Sequence, residues 1–295
     1  TDLGLVDFNG KLNGINFSLD KIRDSIEGNI KSIEFNNYTY TNIKTHGIFQ
    51  KKYFNGEVNI DDQNLEFQSQ IEIDFTKAQP SYNILGDLIK SNLKPLNFYK
   101  SNMSLTGLLD VNFTGTNIDN FLGSAKFLNA NISTDEVQLG FDSLNLSSDY
   151  IDSVKHLRLT NNNFSASVSG QFNILDLPNN FQSFLHHYYP SYISAPASSP
   201  QKQALHFEIN TNYIEPYLKL FEKKISGFND IDIIGTVNTK KDSFALFAKV
   251  PYAKFKDFIA KGIDISGIGN SKRLNVGGLI DAFQISDSLT FPAIK

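Results

Sequence analysis

The chain has 295 residues, a formal net charge of −4 and no Cys. The negative charge gives little attraction for a phosphate backbone, and the absence of Cys excludes disulfides and thiolate chemistry. No run of about 20 apolar residues is present that would span a bilayer as a helix. Because the chain opens with Thr1 and enters a patterned segment directly, we expect a processed product or a piece of a longer protein.

The clearest predicted element is a hairpin over residues 54–75, FNGEVNIDDQNLEFQSQIEIDF, in which apolar and polar side chains alternate. This period of two predicts two β-strands with one apolar face and one polar face. The DDQN stretch between them lacks the ligand spacing of a calcium loop, so we interpret it as a turn. The apolar face is expected to carry Val58, Ile60, Leu65, Phe67, Ile71, Ile73 and Phe75.

The same alternation returns in four later segments, residues 108–113, 156–174, 205–213 and 242–250. The chain is rich in Phe, Tyr and Ile, and these residue types suit strands. Gly, Asn and Asp occupy the turns, as hairpins require. The apolar positions of these segments are Leu109, Val111, Phe113, Leu157, Leu159, Phe164, Val168, Phe172, Phe207, Ile209, Phe244 and Leu246.

Helical spacing replaces the alternation in four short segments, residues 83–94, 177–190, 215–225 and 254–262. In the second segment Pro178 suits a helix start and Pro190 a helix end. In the fourth, Gly262 suits a C-terminal stop. Each of these helices is expected to lay an apolar stripe over a sheet.

An internal repeat relates residues 10–35 to residues 107–132, with a period of about 95 residues. Repeats of one supersecondary unit indicate an architecture that extends by stacking. We therefore predict five segments along the chain. They are a first β repeat unit at 1–80, a short helical connector at 81–100, a second β repeat unit at 101–176, an amphipathic helix with a Pro- and Ser-rich loop at 177–203, and a third, degenerate β unit with short helices at 204–295.

Motifs for catalysis or metal binding are absent from the sequence. There is no HExxH or GxSxG pattern, and the glycines of residues 264–271 do not form a dinucleotide fingerprint. The adjacent pair His186 and His187 is interpreted as part of a solvated helix face. The paired carboxylates fall on the polar sides of the predicted strands. We therefore expect no enzyme activity, no metal site and no cofactor.

Several stretches of the chain, taken in order, resemble a known family. They are YTYTNI (38–43), the hairpin of residues 54–75, NLKPLNFY (92–99), GSAKFLNANI (123–132) and LPNNFQSFLHHYYPSYI (177–193). Together they resemble the TamB family of Gram-negative bacteria in its Bacteroidota-like form. TamB belongs to the AsmA-like group of bridge-like lipid-transfer proteins. The resemblance covers most of residues 1–250.

The resemblance implies a mainly β fold, in which an elongated, curled, antiparallel-rich sheet forms a U-shaped apolar groove with a few short amphipathic helices. It also implies a periplasmic location, with an inner-membrane anchor that this chain lacks. The chain would be an internal or C-terminal portion of the whole protein. The implied partners are phospholipid acyl chains and an outer-membrane insertase barrel of the TamA/BamA type. The implied work is phospholipid transport between the two membranes, or support for outer-membrane protein assembly.

The residues alone leave alternatives open for what covers the apolar strand faces. A β-sandwich or a β-solenoid would bury them inside the protein, whereas a curled sheet would leave an open groove. An acyl chain of about 16 carbons would cost on the order of 12 kcal/mol to expose to water, so an apolar groove suits lipid. The alternative function is a surface or secreted β-rich adhesin or passenger domain without lipid transfer, and a glycan-active β-solenoid enzyme is a further rival.

Overall fold

The structure, a computed structural model, describes residues 3–14, 23–50, 52–196, 198, 201–286 and 289–294. It is mainly β, and the strands pair in antiparallel fashion in the described residues, which confirms the predicted class. The chain divides into two compact units. The first unit comprises residues 1–116 and 120–146, and the second comprises residues 117–119 and 147–295. The predicted five segments remain a prediction, and residues 1, 2, 15–22 and 51 of the first lie outside the described residues.

The first unit is an antiparallel ladder in which strands that follow one another in sequence are paired from β1 to β8. The ladder is open, because the last strand does not return to pair with the first in the described part of this unit. The strands are β1 (Leu3–Gly14), β2 (Arg23–Phe35), β3 (Tyr38–Gln50), β4 (Tyr53–Asp61), β5 (Leu65–Asp74), β6 (Ser81–Ser91), β7 (Met103–Thr114), β8 (Leu122–Thr134) and β9 (Gln138–Ile151), whose final residues belong to the second unit.

The second unit is also an open antiparallel ladder, and its described residues include two short helices. The end of β9 pairs with β10, and the order continues through β11, β12, β14, β15, β16, β17 and β18. The short β13 pairs with the far end of β15. The elements are β10 (Val154–Asn161), β11 (Phe164–Gln171), α1 (Leu177–Tyr188), β12 (Ala204–Thr211), α2 (Glu215–Lys219), β13 (Ile225–Gly227), β14 (Asp232–Asn238), β15 (Ser243–Phe255), β16 (Phe258–Gly269), β17 (Leu274–Ser286) and β18 (Leu289–Ile294).

The predicted hairpin of residues 54–75 is confirmed as strands β4 and β5. Its turn is closed by two backbone hydrogen bonds between Asp62 and Leu65, with donor–acceptor distances of 2.8 and 3.3 Å. The predicted turn at DDQN is therefore also confirmed. The alternation of the sequence explains the register, because Ile60 lies opposite Phe67 and Phe54 lies opposite Ile73. A slip by one residue would turn every apolar side chain to the wrong face.

Two of the predicted helices are supported by the structure. The segment 177–190 forms α1, with Pro178 in its first turn. The segment 215–225 is helical only over Glu215–Lys219, and β13 begins at Ile225. No helix in the described residues is long and apolar enough to cross a membrane. Of the Pro- and Ser-rich loop predicted after α1, residues 197, 199 and 200 lie outside the described residues.

The helices predicted at 83–94 and 254–262 are wrong. Residues 81–91 form β6, which is held between β5 and β7, and the connector of residues 81–100 therefore begins as a strand. In the second case Phe255 and Phe258 face each other across a tight turn between β15 and β16. Gly262 does have the positive φ of a helix stop, at 59°, but it lies within β16. Hydrogen bonds to neighbouring strands outweigh these short helical patterns.

Candidate functional site

One face of the sheet in the first unit is apolar across several strands, and we call it the first apolar face. Its side chains come from residues that face one another in the ladder. A representative row passes from Ile71 in β5 to Ile84 in β6, Val111 in β7 and Ala125 in β8. The predicted positions on this face are Val58, Ile60, Leu65, Phe67, Ile71, Ile73, Leu109, Val111 and Phe113. The register thus brings together residues that are about 50 positions apart in the sequence.

Phe75 is the predicted position of the first unit that does not lie in a strand. It follows the end of β5 and is half exposed. Its ring packs edge-on against Tyr82, with centroids 5.8 Å apart, and Tyr82 stacks on Phe113 at 4.7 Å. The aromatic contact therefore joins Phe75 to the edge of the first apolar face.

The opposite face of the same strands is mainly polar. Glu72 lies opposite Asn83, which lies opposite Asn112. On the same side Lys126 is paired with Asp110 across β7 and β8, at 3.4 Å. The sheet of the first unit is therefore amphipathic, as its alternation predicts.

The first apolar face is closed at its ends and half-buried in its middle. At one end Leu96, from the turn after β6, is 1% exposed and packs with Tyr40 and Ile43. At the other end Phe121 is buried and its ring lies 4.8 Å from that of Phe113. Between them Val111 and its neighbours are only half-buried. The described strands of this unit form one ladder, so a closed sandwich of two separate sheets is not the architecture found.

The second unit has a matching surface, which we call the second apolar face. A row across it passes from Leu157 in β10 to Val168 in β11 and Phe207 in β12, and then to Gly235 in β14 and Leu246 in β15. The predicted positions on this face are Leu157, Leu159, Phe164, Val168, Phe207, Ile209, Phe244 and Leu246. Phe172, the remaining predicted position, follows directly after β11.

The two helices cover the ends of the second apolar face rather than its length. At one end Phe184 of α1 lies 4.9 Å from the ring of Phe244. At the other end Tyr217 of α2 packs edge-on against Phe164, at 5.3 Å. The middle of this face remains accessible, since Ile209 is 36% exposed. The helices are predicted to lay apolar side chains on the sheet. They do so at the two ends of the second apolar face and not along its middle.

A feature that the alternation does not predict is a Phe ring that covers a Gly on a neighbouring strand. The ring of Phe67 covers Gly86, where an added methyl group would lie 2.5 Å from ring atoms. In the second unit the ring of Phe207 covers Gly235, where the same distance is 2.4 Å. A Gly within a strand often marks such a close approach, so the glycines at positions 86 and 235 are the sequence feature that indicates it. Each glycine leaves room for a ring to cover the backbone of the next strand.

Among the carboxylates of the first unit whose side chains the structure describes, Asp62 is the most buried, and its role is structural. It accepts hydrogen bonds from the backbone N and Oγ1 of Thr41, at 3.0 and 2.7 Å, from the backbone N of Asn64 at 2.9 Å, and from the hydroxyl of Tyr38. Burial by itself would raise the pKa of Asp62, but these hydrogen bonds outweigh it and lower the pKa. Burial and the nearby carboxylate raise the pKa of the Tyr38 hydroxyl.

Lys155 is a buried charge at one end of the second apolar face. Its Nζ donates a hydrogen bond to the backbone oxygen of Asp119 and lies 5.3 Å from the centroid of the Phe172 ring. Burial lowers the pKa of this amine. No group of three or more His, Asp or Glu side chains is placed to hold a metal ion among the residues that the structure describes.

Comparisons with known proteins assign no family to the chain: no protein-family model, curated protein or solved structure matches it.

Proposed function

We propose that the chain is a section of a hydrophobic groove that carries phospholipid between the inner and outer membranes of a Gram-negative cell envelope. The observation that supports this proposal best is the register of the strands within each unit. Apolar side chains from many strands share one face in each unit, and the central residues of that face are only half-buried. An exposed apolar surface of this extent favours a ligand or partner of apolar chemistry.

Acyl chains are the ligand that suits such a face. Each CH₂ group moved out of water contributes about 0.8 kcal/mol, so a chain of about 16 carbons gains on the order of 12 kcal/mol from full burial. Residues of similar hydrophobicity along the face would give each position nearly the same affinity, so that no position traps the lipid. Transport through such a groove is passive, and its direction is supplied elsewhere.

The proposed groove requires the sheet to curl around the lipid. Two features support this part of the proposal. Register shifts between β5 and β6 and between β7 and β8 are β-bulges, which bend a strand and increase its twist. Gly86 and Gly235 are a second feature of this kind, because glycines within strands introduce bends into a sheet.

The sequence resemblance to TamB extends the proposal to its cellular setting. In that setting the chain lies in the periplasm, as part of a longer protein anchored in the inner membrane. The partner at the outer membrane is an insertase barrel of the TamA/BamA type, and support for outer-membrane protein assembly is the related activity.

The direct test is native mass spectrometry of the purified chain after expression in a Gram-negative host. We expect phospholipid to co-purify with the wild-type chain. Ile71→Asp places a carboxylate on the first apolar face and should reduce the bound lipid at least tenfold, because a charge beside an acyl chain is poorly solvated. Gln70→Asp introduces the same side chain one residue away, on the polar face, and should retain the lipid.

The proposal fails if the wild-type chain carries no lipid, or if Ile71→Asp and Gln70→Asp carry as much lipid as each other. Either result would favour the adhesin or passenger alternative. Circular dichroism of both variants checks that the sheet remains folded.

A further inference from the structure

A cleft with an unusual concentration of lysines lies in the second unit, where α2, β13 and the turn between β15 and β16 meet. The cleft is open and has a volume of about 520 Å³. Five lysines and one aspartate line it, together with two uncharged residues. The charged lining residues are Lys219, Lys223, Lys224, Lys254, Lys256 and Asp257. This positive cluster stands out in a chain whose formal net charge is −4.

Backbone pairing fixes the two segments that carry these lysines. Ser226 of β13 lies opposite Lys254 of β15, and Ile225 lies opposite Phe255. The backbone N of Lys256 also donates a hydrogen bond to the carbonyl oxygen of Lys224, at 3.0 Å. The positive charges are therefore brought together by the fold and not only by their order in sequence.

Nearby carboxylates neutralise only part of this charge. Glu215 forms an ion pair with Lys219, and it also accepts a hydrogen bond from the backbone N of Gly227. Glu222 accepts a hydrogen bond from the backbone N of Lys224. The cleft remains positive after these contacts, because lysines outnumber the carboxylates around it.

Three exposed aromatic residues belong to the segments that carry the lysines or face them in the ladder. Phe255 and Phe258 face each other at the tip of the β15–β16 hairpin and are 43% and 47% exposed. Phe221, in the turn between α2 and β13, is 73% exposed. The Nζ of Lys256 lies 5.3 Å from the centroid of the Phe255 ring. Lysines and exposed aromatic rings thus share the same end of the second unit.

We propose that this basic tip, defined by the five lysines of the cleft with Phe221, Phe255 and Phe258, docks on the surface of an anionic phospholipid bilayer. The lysines attract the lipid phosphates, and the aromatic rings enter the boundary between headgroups and acyl chains. Surfaces that bind membranes peripherally combine basic residues with exposed aromatic residues in this way. The inference does not depend on the lipid groove, because the basic tip is a separate surface.

The exposed rings decide between a membrane and a soluble anion. A free phosphate ion would use the lysines but would leave the three rings in water. A bilayer surface uses both, because aromatic side chains are favoured at the level of the headgroups. The open shape of the cleft also suits a broad surface better than an enclosed small ligand.

The test is sedimentation of the full chain with lipid vesicles. We expect binding to vesicles of phosphatidylcholine that contain about a third phosphatidylglycerol, and little binding to phosphatidylcholine alone. Each lysine near an anionic surface contributes about fivefold to binding, so the triple variant Lys224→Gln, Lys254→Gln and Lys256→Gln should bind about 100-fold more weakly. Binding should also weaken as salt screens the charges.

Two sets of variants separate this proposal from its rivals. The control triple variant Lys44→Gln, Lys94→Gln and Lys100→Gln has the same net charge but changes lysines in the first unit, and it should bind like the wild type. Phe255→Ser with Phe258→Ser should weaken vesicle binding about tenfold, because these rings are the part that enters the bilayer.

Three results would overturn the proposal. The first is equal binding to vesicles with and without phosphatidylglycerol. The second is equal loss in the two triple variants, which would mean that net charge alone matters. The third is release of the chain from vesicles by inorganic phosphate at constant ionic strength, together with unchanged binding of the Phe255→Ser, Phe258→Ser variant, which would assign the cleft to a soluble anion. Unchanged thermal unfolding of each variant shows that folding is not the cause.

Discussion

Leu96 offers a test of how the end of the first apolar face is held. This side chain belongs to the turn after β6, yet it is 1% exposed, and it packs with Tyr40 and Ile43 of β3. Leu96→Ala would remove several buried carbon atoms and leave a cavity between that turn and the sheet. Because the neighbours belong to hydrogen-bonded strands, they have little freedom to fill the space.

The expected loss follows from this burial. A fully buried Leu→Ala change costs about 2–5 kcal/mol, and we expect about 3 kcal/mol for Leu96→Ala. In a domain of about 150 residues, 1 kcal/mol shifts Tm by about 2–4 °C, so the expected drop is about 10 °C. Leu85→Ala is the matched control, since Leu85 is 59% exposed on the opposite face and should lose less than about 1 kcal/mol.

Unfolding in urea, followed by tyrosine fluorescence, measures this difference, because Tyr40 lies in the affected cluster and the chain has no Trp. Hydrogen exchange of the β3 amides should also become faster in Leu96→Ala. If Leu96→Ala and Leu85→Ala lower the unfolding midpoint by the same amount, the turn does not close the end of the face as described.

Three further predictions concern other parts of the molecule. The pKa of Asp62 is lowered in the folded protein. Its contribution to the free energy of unfolding is therefore present above its ordinary pKa and is lost as the pH falls through the pKa in the folded state. Asp62→Asn should therefore cost about 2 kcal/mol in urea unfolding at neutral pH, with a difference from wild type that shrinks below about pH 4; a constant difference would contradict this. Phe184→Ala removes the contact with Phe244, so the amides of α1 should exchange at least tenfold faster, and unchanged exchange would refute the covering role. Val111→Asp should weaken the binding of a fluorescent fatty acid at least tenfold, whereas Asn112→Asp, on the polar face, should stay within twofold; equal effects would exclude the first apolar face as the binding surface.

In the hairpin of residues 54–75 the alternation of the sequence is sufficient to predict the two strands and the side chains that share a face. Val58 and Phe67 are assigned to one side by the alternation within each strand together with the turn between the strands, and the pairing of Ile60 with Phe67 agrees with this arrangement. In the second unit the alternation predicts Leu157 and Phe207 as apolar positions of their own segments, and it is the register that relates them across β11. This success has a physical basis, because successive side chains in a strand must point to opposite sides.

The predicted secondary structure is wrong where a short apolar pattern fits both a helix and a strand. In β6 the residues Ile84, Leu85, Leu88 and Ile89 satisfy helical spacing, but β5 and β7 supply hydrogen-bond partners on both sides. Leu85 is then left exposed, and Ile89 falls at the bulge between β5 and β6. Such long-range pairing is invisible in a local window. The basic tip was missed for the same reason, since its lysines come from two segments.

The glycines covered by Phe rings affect how far side chains protrude from the apolar faces. Where Phe67 covers Gly86 and Phe207 covers Gly235, the ring occupies space that a side chain would otherwise fill. At these positions the apolar face is flatter than its content of Phe implies, and an acyl chain that moves along it would meet few protruding side chains. Replacing Gly86 by Val would raise the ring of Phe67 into its path. Such a change would make the face uneven without making it more polar. It would therefore test whether movement of an acyl chain requires an even surface as well as an apolar one.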